Sequence, residues 1–124
     1  MIRPRNLAFA TLVASLAIAS TPRLSAHAYL DHAVPAVGET VAKAPPQAAI
    51  WFSEKLEAAF STIEVFDGNG KRVDRGDTRN DPQDGRVLRV SLQRLPPGTY
   101  KVHWRAISVD THKTEGDFTF TVGK

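Results

Sequence analysis

Three runs toward the end of the chain alternate residue by residue between apolar and polar side chains, and this limits the possible folds more than anything else in the sequence. Leu88, Val90 and Leu92 fall on one side of the first run, with Val87, Arg89 and Ser91 on the other. Tyr100, Val102, Trp104 and Ala106 line one side of the second, against Lys101, His103 and Arg105. Phe118, Phe120 and Val122 alternate with Asp117, Thr119 and Thr121 in the third. A period of two with β-branched and aromatic residues predicts half-buried strands. Residues 48–52 and 62–66 predict two more, and no segment carries a sustained helical stripe. Turn residues separate the runs: Pro45-Pro46, Asp67-Gly68-Asn69-Gly70 and Pro96-Pro97-Gly98. Residues 74–85 read as a long polar surface loop. Short strands at this spacing predict an all-β fold, an antiparallel β-sandwich or barrel with Greek-key connections, immunoglobulin-like and cupredoxin-like in outline.

The beginning of the chain reads differently. Arg3 and Arg5 precede an uncharged apolar run, Leu7 to Ser20, and small residues follow at Ser25 and Ala26. A charged start, a short apolar middle and a small-residue exit predict a cleaved signal peptide over residues 1–26, with the domain at 27–124. The run is too short for a membrane span, which needs about 20 apolar residues. Loss of Arg3, Arg5 and Arg23 lowers Lys+Arg from 16 to 13, level with the 13 Asp+Glu. The neutral mature chain gives no ground for nucleic-acid or membrane-surface binding. There are no cysteines, which excludes thiolate metal sites and leaves the exported domain to be held by its core or a ligand.

Four histidines are candidates for chemistry: His27, His32, His103 and His112. A cut after Ala26 makes His27 the first residue. Its α-amine and imidazole can then chelate one ion, an arrangement that suits Cu(II). A second Ala-x-Ala match, Ala26-His27-Ala28, permits a cut that would expose Tyr29 instead, and sequence rules do not choose between the two. In Asp110-Thr111-His112 the carboxylate and imidazole at i and i+2 point the same way if the chain is extended, so they can converge. Asp77, Asp81 and Asp84 lack the ligand spacing of a calcium loop and read as a solvated turn.

A set of linked motifs runs through the mature chain: His27-Ala28-Tyr29-Leu30, Trp51-Phe52-Ser53-Glu54, Gly98-Thr99-Tyr100-Lys101-Val102-His103-Trp104-Arg105, Ser108-Val109-Asp110-Thr111-His112 and Gly116-Asp117-Phe118-Thr119-Phe120. In these it resembles the CopC family of periplasmic copper-resistance proteins over nearly its whole length. The resemblance implies one Cu(II) per chain, held by a brace of the His27 amine and side chain with Asp110 and His112. Glu54 is implied as a supporting carboxylate near the amine. It also implies a monomer in the periplasm, a carrier or buffer rather than an enzyme, and an inner-membrane CopD-like transporter as partner. Some members carry a methionine-rich loop for Cu(I). Here the only methionine is Met1, so no Cu(I) site is expected.

Two other readings are compatible with the residues alone, a histidine-brace oxidative enzyme and a metal-free immunoglobulin-like module. His103, on the polar face with Lys101 and Arg105, reads as solvated. His32 reads as a residue near the terminus without a ligand role. Trp51 and Trp104 read as core aromatics.

Overall fold

The computed structural model describes residues 28–124. Eight strands form β1 (Leu30–Val34), β2 (Thr40–Val41), β3 (Gln47–Phe52), β4 (Thr62–Phe66), β5 (Arg79–Asp81), β6 (Asp84–Ser91), β7 (Gly98–Ile107) and β8 (Lys113–Val122). One sheet runs β1-β3-β6-β5 and the other β2-β8-β7-β4. All pairs are antiparallel except the short edge pair of β2 with β8. The chain stays within one sheet only at the β5–β6 and β7–β8 hairpins and otherwise crosses between sheets, as Greek-key connections do.

Alternation dictates which side chains meet between the sheets. Ala48, Ile50 and Phe52 of β3 and Leu88 and Val90 of β6 face Ile63 and Val65 of β4, Tyr100, Val102, Trp104 and Ala106 of β7, and Phe118, Phe120 and Val122 of β8. Each large apolar side chain buried this way contributes about 1.5–3 kcal/mol. Tyr100 spends its polar end locally, donating from its hydroxyl to the Pro96 carbonyl. Gly116 lies opposite Trp104, and the indole occupies the space a side chain would fill; a Cβ there would sit 2.7 Å from the Trp104 ring. Phe52 meets the same indole edge-on, with ring centroids 5.2 Å apart.

Two expectations need correction. Trp104 is a core residue, but Trp51 is half-buried on the outer face of its sheet. Because β3 turns Ala48, Ile50 and Phe52 inward, Trp51 must point out. There it stacks on His32 at 4.4 Å, and the Arg89 guanidinium lies 5.7 Å from its ring. The 74–85 segment is not one surface loop. It contains β5, and its three outer aspartates are tied down: Asp77 accepts from the Ser91 N–H, Asp81 from Gln83 N–H and Arg89, and Asp84 from the Arg86 N–H.

Asp74, at the start of that segment, has a fully buried side chain. It accepts from Arg72 through both oxygens, at 2.9 and 3.0 Å, and from the backbone N–H groups of Val65 and Gly76. Burial alone would raise its carboxyl; the hydrogen bonds from Arg72, Val65 and Gly76 outweigh that and hold it below its ordinary range. A lowered carboxyl stabilises the fold above about pH 4, and that contribution disappears as pH falls through the lowered value. Asp74→Asn is expected to cost roughly 1–3 kcal/mol at pH 7. In urea unfolding the gap between wild type and variant should narrow toward pH 3; a constant gap would show that the charge contributes nothing.

Candidate metal centre

The β7–β8 hairpin pairs without interruption from Gly98 opposite Val122 to Ile107 opposite Lys113, and residues 108–112 close it. This loop is built on Ser108, which is completely buried. The Ser108 N–H donates to the His112 carbonyl at 3.0 Å, and the Thr111 N–H donates to the Ser108 carbonyl at 2.8 Å. The Ser108 hydroxyl donates to Asp110 Oδ1 and accepts the His112 N–H at 3.3 Å. Thr111 turns the chain with φ +73°, a left-handed conformation uncommon for a β-branched residue.

The turn brings the two candidate ligands together. Asp110 Oδ2 stands 3.2 Å from His112 Nδ1, and both side chains are about half open to solvent. Two ligand atoms about 2.1 Å from one ion and at right angles to each other lie about 3 Å apart, so this spacing suits a shared metal. The convergence does not come from an extended chain, as the i, i+2 argument assumed; it comes from the left-handed kink at Thr111. The Ser108 hydroxyl first, then the His112 imidazole, hold the Asp110 carboxyl below its ordinary range, so it is ionised and ready to ligate at neutral pH.

The bend after β3 connects this loop to the amino-terminal segment. The Val109 N–H donates to the Lys55 carbonyl at 3.1 Å, while Ser53 exchanges two 2.9 Å bonds with the backbone of Tyr29. Glu54 lies between these two attachments and is half-buried. Ala28 is fully buried, and its carbonyl accepts from Thr114 Oγ1 at 2.6 Å, two residues beyond His112. His27 lies outside the described residues. Among the described residues no three His, Cys, Asp or Glu side chains group as a metal site; Asp110 and His112 supply two donors.

The other histidines are engaged elsewhere. His32 stacks on Trp51 and its Nδ1 lies 2.7 Å from Asp31. A β-bulge between Leu30 and His32 sets those two side chains together. His103 is half-buried, with Nδ1 2.6 Å from Asp117, so it is paired across the sheet rather than merely solvated. Two hydroxyl residues bonded around the site, Ser108 and Thr114, were given no role in the sequence reading. Each lies two places outside a candidate ligand, and a hydroxyl at that spacing was the available signal.

Residues 30–123 match the CopC domain, and the chain belongs to the CopC family. It is 36% identical over 119 residues to Protein YobA of Escherichia coli K12, covering 95% of each chain. It is 35% identical over 100 residues to the Copper transport protein CutJ of Bacillus subtilis, covering 80% of this chain and 18% of that much longer one. Among solved structures it resembles PcoC, a methionine-rich copper resistance protein from Escherichia coli, with TM-score 0.68 and 33% identity over 78% of this chain and 99% of that one. The fold and family are therefore ones shared with proteins named for copper resistance and copper transport.

Ser108→Ala removes the largest influence that lowers the Asp110 carboxyl. The carboxyl is expected to titrate closer to its ordinary range, read by NMR on the metal-free protein. An unchanged titration would mean that the hydroxyl does not set the charge of this candidate ligand.

Proposed function

We propose that this protein is exported to the periplasm and, as a monomer, binds one Cu(II) ion through His27, Asp110 and His112. Its task is to buffer copper and pass it on; it is a carrier and not a catalyst. The observation that carries the reading is the 3.2 Å approach of Asp110 Oδ2 to His112 Nδ1 on a loop sharing its base with the amino-terminal segment. Ala28 is held beside that loop, and His27 is the residue covalently joined to it. Cleavage after Ala26 would put a free amine and an imidazole at that point.

The donor set favours the oxidised ion. A carboxylate oxygen and imidazole and amine nitrogens suit Cu(II), whereas Cu(I) prefers sulfur. The mature chain has none, since Cys is absent and Met1 leaves with the signal peptide. This separates it from the methionine-rich PcoC. Glu54, in the bend joined to both halves of the site, is suited to accept from the terminal amine and aim it at the ion. When bound, copper is cargo, and the residues' work is to hold it and then let it go. Asp110 as a ligand also occupies coordination space that oxygen chemistry would need open. The match to one part of the much longer Copper transport protein CutJ supports a copper-transporting protein as the receiving partner, and the family resemblance implies that it is CopD-like and in the inner membrane.

Intact mass of the exported protein, before and after Cu(II), tests the reading in one measurement. The expected mature form begins at His27 and gains one copper. A form beginning at Tyr29, or no gain of copper, would sink it. His112→Ala should weaken Cu(II) binding more than Glu54→Gln, for which a loss of about 10–100-fold is expected. Competition with a chelator of known affinity measures both.

A further inference from the structure

The candidate ligands come from two separate parts of the chain, and Thr114 joins them. Its Oγ1 donates to the Ala28 carbonyl at 2.6 Å, across a sequence separation of 86 residues. Thr114 belongs to β8 of one sheet, two residues after His112; Ala28 leads into β1 of the other. The β1–β3 pairing begins only at Leu30 opposite Phe52, so the ladder does not itself reach Ala28. Ala28 is nonetheless fully buried, and the Tyr29 N–H is taken up by Ser53 Oγ. The segment is thus pinned from two sides. Ser53 holds it to its own sheet, and Thr114 holds it to the strand that follows the Asp110–His112 loop.

We propose that Thr114 is a positioning residue for copper. By fixing the carbonyl of the buried Ala28 it holds the residue to which His27 is attached beside the Asp110–His112 loop, which shortens the search by which the donors of His27 would join those of Asp110 and His112. The cost of ordering a chain end is then met when the protein folds and not when copper binds, which tightens binding. The inference rests on the proposed His27–Asp110–His112 site. It adds that a residue touching no copper controls how tightly that site closes. A hydroxyl is required for this. Valine has nearly the same outline but cannot donate, and it would leave a buried carbonyl without its partner.

The test compares wild type, Thr114→Val and Thr114→Ser as mature chains beginning at His27, together with wild type and Thr114→Val in chains beginning at Ala28. Cu(II) affinity is measured by chelator competition and the copper environment by EPR, with melting of the metal-free forms alongside. Thr114→Val is expected to bind about 10-fold more weakly, in the range of an outer residue that orients a ligand, with an altered EPR spectrum. Thr114→Ser is expected to restore both. In chains beginning at Ala28 the substitution should have little effect, because the group being positioned is gone. A general loss of stability would instead weaken both chain forms alike and overturn the proposal. So would wild-type affinity and spectrum in Thr114→Val, or failure of serine to rescue. If the chain beginning at Ala28 binds as tightly as that beginning at His27, the brace itself is wrong, and the role of Thr114 falls with it.

Discussion

Ser108 sits with no exposure at the point where β7 leaves its sheet, and what lies beyond it depends on how its hydroxyl and backbone are satisfied. A buried hydroxyl without partners costs about 1–3 kcal/mol, so the loop must fold back to meet it. It does so within five residues: the Asp110 carboxylate turns inward to accept from Ser108, and the backbone of His112 closes the ring. Thr111 is driven into a left-handed conformation as a result. The local strain and the ligand geometry have one cause. A loop satisfied by water instead would leave Asp110 and His112 free to separate, and their approach would have to be formed each time an ion arrived.

The hairpin beneath the loop supplies the rigidity. Ten cross-strand pairs join β7 to β8, and their inner side chains pack into the centre of the core. Gly116 and Trp104 show how closely the packing is fitted there, since the indole lies where any other residue would carry its Cβ. The candidate site is therefore built at the end of the most extensively paired hairpin among the described residues. The bend at residues 53–55 then carries that stiffness to the amino-terminal segment, through Lys55 on one side and Ser53 on the other. The first described residues, Ala28 and Tyr29, are thereby bonded to both sheets.

Five of the strands were legible: β4, β6, β7 and β8 because they alternate with one apolar face, and β3 because it is a short apolar run after a Pro-Pro turn. β1, β2 and β5 were not. β2 has only two residues, β5 is Arg-Asn-Asp, and the bulge in β1 places Asp31 and His32 on one face and breaks the period of two. The burial of Asp74 was hidden for a similar reason. A polar segment looks like surface unless the guanidinium and backbone N–H groups that satisfy it can be foreseen, and these come from β4, Arg72 and Gly76. Trp51 misled because size was taken as a sign of burial, when its neighbours Ile50 and Phe52 had already claimed the inner face. Asp110 and His112 were legible as a pair, though by an argument from extended geometry that the kink at Thr111 replaces. Ser108 and Thr114 were not, because a hydroxyl announces no partner until the fold brings one to it.

On the proposed reading, the exposure of these groups decides how a copper carrier holds its ion yet releases it. Asp110 and His112 are about half open to solvent, so an acceptor can approach them without the sandwich opening. The groups behind them are the reverse: Ser108, which bonds to both, is fully buried, while Thr114, which holds the neighbouring segment, is partly covered and bonds to the carbonyl of Ala28, a residue with no exposure. Ligands at the surface permit exchange, and a buried frame keeps them arranged whether or not the ion is present. In such a division tightness resides in the frame and the route of transfer in the exposed ligands. Substitutions in the frame should therefore change how long copper stays, while substitutions on the exposed side change what can take it.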